Sequence, residues 1–128
     1  MAFTTDAALD AGLQYIRDNG INLYITSAEA TTYAEATATF ALANKASVTV
    51  GAQADNGGAG GGRKVEVATF TDGTVTATGT ATHWALVNPT GSILVATGAL
   101  TASQALTNGN PLSLTGPIPI AIKDATPL

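Results

Sequence analysis

Cysteine is absent from the 128 residues, which excludes disulfide staples and thiolate chemistry without identifying a compartment. Charge is also scarce. Asp, Glu, Lys and Arg together make up 11% of the chain, less than half of the roughly one quarter usual in globular proteins. Five basic residues against nine acidic ones give a net charge of −4, and nothing gathers the basic ones into a phosphate-binding stripe. Nucleic acid is therefore not an expected partner. No apolar run approaches the length of a membrane span, and the opening MAFTTDAALD lacks the basic and apolar regions of a signal peptide. Neither membrane insertion nor cleavable secretion is expected.

Groups that carry chemistry are equally thin. His83 is the single histidine, and no nucleophile or carboxylate stands at a spacing that belongs to a known catalytic arrangement. A hydrogen-bonded histidine at a strand or subunit edge is the simpler reading. The carboxylates are dispersed, with no close pair to share a proton. No enzyme, cofactor or metal is expected.

What remains is rich in threonine, alanine and glycine, and at this length one domain, 1–128, can bury a core without staples. Its plan is a helix over 5–19, a mobile Gly-rich loop over 51–62, a hairpin core over 63–100 and C-terminal strands over 104–123. Thr5 suits an N-cap, Asp6 the first turn, and Leu9, Leu13 and Ile16 recur at helical spacing. Burying those three side chains is worth roughly 1.5–3 kcal/mol each, enough to hold a short helix on a sheet. Asn19-Gly20 should close it in a Schellman-type ending with Ile21 against Ile16. Ile21, Leu23 and Ile25 alternate as a strand, 27–37 reads as a loop leading to a short helical turn or an irregular segment before inward-packing Phe40 and Leu42, and 47–50 reads as a short strand.

Half of GAQADNGGAGGG, residues 51–62, is glycine, too costly in chain entropy to order without a partner. A calcium loop would need more aspartates than Asp55, and a phosphate-binding loop would need Gly-Lys-Ser or Gly-Lys-Thr before a helix. Turn chemistry then organises 63–100. Thr71-Asp72-Gly73 suits a three-residue hairpin loop with Gly73 in the left-handed region, setting Val67 against Ala77. Pro89, Thr90 and Gly91 suit a type I turn with a bulge, which would place Trp84, Leu86, Leu94 and Ala96 on one face. The opposite face would carry Ala85, Val87, Ile93 and Val95. Both faces are apolar, so the hairpin is sandwiched within the molecule or covered by a second copy, and these four residues are the expected self-contact. The alternating Thr74, Thr76, Thr78, Thr80 and Thr82 read as a polar strand face, since no repeat period would stack them into an ice-binding array. In the tail, Asn108-Gly109-Asn110 is a turn, and Pro119 among Ile118, Ile120 and Ile122 marks an edge strand.

The runs GRKVEVATFTDGTVTATGTATHWALV, SILVATGALTASQALTNGN and IPIAI resemble the small virion proteins of tailed bacteriophages that decorate or cement the outside of the head. That resemblance implies a non-enzymatic protein on the virion surface that binds the major capsid protein as a homo-oligomer, a dimer or trimer. A tail or fibre-base component has a similar texture. The fold expected is mainly β, an antiparallel β-sandwich or small barrel-like sheet with one N-terminal α-helix. Contact with the shell is expected from segments that order on binding: Met1, Ala2 and Phe3, and Asp55, Asn56 and Arg63 around the glycine loop. The rival class is a carbohydrate-binding or adhesin-like module, in which Tyr24, Tyr33 and Trp84 would stack on sugar rings.

Overall fold

The structure, a computed structural model, describes residues 4–57 and 61–124. Helix α1 (Asp6–Asn19) is followed by nine strands: β1 (Asn22–Thr26), β2 (Ala41–Lys45), β3 (Ala54–Asp55), β4 (Arg63–Val67), β5 (Phe70–Val75), β6 (Gly79–Asn88), β7 (Ile93–Leu106), β8 (Pro111–Leu114) and β9 (Ile118–Ile122). Six of them form a curled antiparallel sheet in the order β7-β6-β1-β2-β5-β8, a half-barrel, and β3-β4-β9 form a smaller second sheet. The fold is mainly β with one N-terminal helix, as the alternating pattern predicts.

The helix begins where its cap does: the Thr5 hydroxyl accepts from the Ala8 N–H at 3.4 Å. Leu9 and Leu13 are buried, and Ile16 packs against the same core. The expected Schellman ending is corrected. Gly20 has φ −83°, outside the left-handed region, and a Cβ there would stand 2.5 Å from Leu86 Cδ2. Glycine is required because the helix end is pressed onto β6. Ile21 is 36% exposed, while Leu23 and Ile25 are buried as predicted.

The first hairpin does not form. Val67 pairs with Ile118 of β9, and Val75 pairs with Ala43 of β2, so consecutive strands β4 and β5 belong to different sheets. Asp72-Gly73 lies inside β5, at a bulge opposite Leu114 and Leu112 of β8. A Cβ on Gly73 would meet Leu112 Cβ at 2.9 Å, so this glycine admits β8 rather than turning the chain. The threonine row is split as well. Residues 76–78 leave the sheet and bond to Leu42 O through the Thr76 and Ala77 N–H groups, placing Thr74 and Thr80 on strands that are not neighbours.

The second hairpin does form, with Asn88 paired to Ile93 and Gly91 at φ 82°. Its faces are not quite those predicted. β7 spends Ala96, Val95 and Leu94 where β6 spends Leu86 and Val87, and this bulge sends Leu94 across to Val87 while Val95 joins the main core. β7 also runs on to Leu106, with three more residues between Ala99 and Gln104 than between their partners His83 and Ala81. Trp84 lies in the main core over Gly98, its cross-strand partner, where a Cβ would be 2.6 Å from Cζ2. Residues 47–50 make a single bridge, Val50 to Val67, instead of a strand. Pro119 sits on β9, an edge strand, as predicted.

Candidate interaction surface

Ala85 and Val87, the centre of the predicted self-contact, are fully buried by the chain's own 27–40 segment. Ala30 and Ala36 pack on them, with Tyr24, Tyr33, Phe40 and Leu94 half-buried around the rim. A π-helical turn, Glu35–Thr39, closed by the Phe40 N–H to Glu35 O at 2.8 Å, holds this lid in place. Thr31 donates to Glu35 Oε1 from its hydroxyl at 2.7 Å and its N–H at 3.0 Å, and these bonds hold the Glu35 carboxyl below its ordinary range. Burial, helped by Tyr33, pushes the Tyr24 hydroxyl up. Val95 faces the main core and Ile93 sits half-buried by the turn, so Ala85, Val87, Ile93 and Val95 are not one exposed face.

Of the predicted shell contact, Met1, Ala2 and Phe3 lie outside the described residues. The rest is already engaged. Arg63 donates to Asp10 Oδ1 at 2.9 Å and to Asp55 Oδ1 at 2.8 Å, and these hydrogen bonds raise its already high pKa. Gln53 donates to Asp10 O at 3.2 Å and Gln14 Oε1 at 3.0 Å, and accepts from Arg17 Nη1 at 3.2 Å. Asn56 Nδ2 donates to Gly61 O at 3.0 Å. The loop expected to be mobile is thus tied to α1 and β4 through Gly51, Gln53 and Asp55, and the Asp55 side chain still stands 87% exposed.

His83 lies on β6, an interior strand, which corrects its expected edge position. Its Nδ1 is 2.8 Å from Thr82 Oγ1, and that hydroxyl donates to Ser27 O at 2.9 Å. The threonine proton being used, Nδ1–H is the donor. Tyr24 and Tyr33 border the lid cluster, whereas Trp84 is in the main core on the other face of the sheet, so the three rings do not share a platform. Among the described residues no group of three or more metal-ligating side chains is brought together, and no helix is long and apolar enough to cross a membrane.

The surface that local sequence reading misses is the mouth of the half-barrel. Between the far half of β7 and the 111–119 stretch lies a groove of about 700 Å³, with Ile25, Ala81, Trp84, Leu112 and Ile118 lining it from the core. Thr101 to Ala105 are exposed along its rim. Its signal in the sequence is an absence. From Gly73 through Ile122 there is no Asp, Glu, Lys or Arg, and all fourteen charged residues lie outside that run.

No family model, curated protein or solved structure matches the chain.

Proposed function

We propose that this chain is a non-enzymatic structural subunit that works by joining an assembly, as a decoration or cement subunit on the outside of a tailed-phage head. The observation that carries the reading is the half-barrel's open, uncharged mouth: a sheet that curls without closing and keeps apolar core residues at its opening. A solitary soluble molecule gains nothing from such a seam, whereas a subunit completed by neighbours does. The texture shared with phage head proteins supports the same class. The shell is gripped outside the groove, around exposed Asp55 and neighbouring Asn56, and the mouth is left for contact within the decoration layer.

The test is cosedimentation of the purified chain with separated heads and tails of the phage or prophage that encodes it, alongside a glycan array. Saturable binding to heads at a fixed ratio, with a higher temperature of head disruption, is the expected result. Binding to tails alone would move the chain to the tail or fibre base. Retention on glycans without binding to either particle would replace the structural role with the sugar-binding one.

A further inference from the structure

We infer that the mouth is closed by a second copy of this chain, β7 pairing antiparallel with β7 of the partner across a two-fold axis within the exposed stretch Thr101 to Ala105. The inference rests on reading the chain as an assembly subunit and names the contact such a subunit makes.

The four sheet edges are not treated alike. β3 is two residues long and carries Asp55, ion-paired to Arg63. β9 has Pro119 within it, and β8 is four residues starting at Pro111. Shortness, charge and proline stop an edge from recruiting another strand, and bulges weaken its template. β7 has none of the three: it is fourteen residues long, ILVATGALTASQAL, without a charge or a proline. Two bulges interrupt it, and the longer one borders the mouth.

Charge and size both favour a second copy. Each molecule carries a net −4, so two copies repel unless they meet where neither has charge, and the 73–122 run supplies that surface to both. A charged foreign segment would find no ion-pair partner in the groove, whose lining has no Asp, Glu, Lys or Arg. The eighteen residues lining the groove, with Ser103 and Ala105 on its exposed rim, make twenty a side, at the lower bound of the roughly 20–30 of a stable interface. Antiparallel pairing of one edge with itself also satisfies both edges at once and closes, whereas a head-to-tail arrangement would leave an open edge to propagate.

The test uses the full chain in sedimentation equilibrium from about 1 µM to about 1 mM, the range that resolves weak to moderate affinities. The natural chain should form dimers, and Ala102→Lys should weaken them roughly tenfold or more, because each substitution places like charges on both sides of the axis. Ala102 is exposed, so circular dichroism should not move, nor should the thermal midpoint at concentrations where the natural chain is monomeric. Since the chain has no cysteine, Thr101→Cys, Ala102→Cys and Ser103→Cys report the register: the one nearest the axis should cross-link under copper phenanthroline, and Asp18→Cys on α1 should not. A natural chain that stays monomeric throughout would overturn the inference. So would a dimer indifferent to Ala102→Lys, or monomers that take an unrelated apolar peptide into the mouth. Head binding is read separately, and an Ala102→Lys monomer that still cosediments with heads would uphold the shell role while isolating the β7 contact.

Discussion

The α1 side of the molecule and the β7–β8 side are held by different forces. On the first, Arg63 ties Asp10 of α1 to Asp55 of β3, and Gln53 is laced to Gln14 and Arg17, so direction-dependent polar bonds set how helix, loop and small sheet meet. On the second, across 73–122, there is no charge to orient anything. Strands there are placed by backbone ladders, by apolar burial and by glycines that let neighbours approach. Polar bonding finishes its side, with the loop clamped and the edges short. Ladders and packing, with a few neutral hydrogen bonds such as Thr82 to Ser27 O and Asn88 to Asn19, hold the other side and leave it with a seam.

That contrast can be broken at its most tightly packed point. Gly98→Val would drive side-chain atoms into the Trp84 ring, and the expected loss is about 2–3 kcal/mol, seen as an earlier urea midpoint with a red shift of tryptophan emission. Arg63→Met, on the charged side, should cost less and respond to salt. In about 0.5 M NaCl the gap to the natural chain should narrow, while the Gly98→Val gap stays as it was. A salt-independent Arg63→Met gap would mean that the guanidinium acts there by packing.

The smallest effect sharpens the comparison at the lid. Glu35 has its folded pKa lowered by the Thr31 hydrogen bonds, so the folded state binds its proton less readily than the unfolded chain. Its stabilisation is therefore complete above the ordinary glutamate value and is lost as pH falls through the lowered one. Urea midpoints taken between about pH 5 and pH 3 should fall less steeply for Glu35→Gln than for the natural chain. Equal slopes would show that the lid does not feel this carboxylate.

Much of the fold was legible wherever a local signal had a local cause. Thr5 caps α1, Leu9 and Leu13 face the core, Pro89 and Gly91 turn the chain, and Pro119 marks an edge. Reading failed where a residue's reason lay far along the chain. Gly73 resembles a turn glycine but serves Leu112, and Gly20 resembles a helix-ending glycine but serves Leu86. The bulge opposite Leu86 and Val87 exchanged the faces of Leu94 and Val95, which no two-residue alternation could reveal. The lid over Ala85 and Val87 was hidden because alanines at 30 and 36 leave almost no periodic trace. The mouth was hidden for another reason: it is marked by missing charge across fifty residues, and motif reading looks for residues that are there.

One pairing governs when the molecule is complete. Residues 63–67 of β4 find their partners in 118–122 of β9, with residues 68–117 folded elsewhere in between. Until that segment docks, the small sheet lacks one of its edges, and Val65 and Val67, which end up fully buried, have no Ile120 or Ile118 against them. Such distant pairing makes for slow folding and for a late, cooperative closing step. A chain lacking 118–122 should therefore keep every strand of its larger sheet and be unable to complete its smaller one.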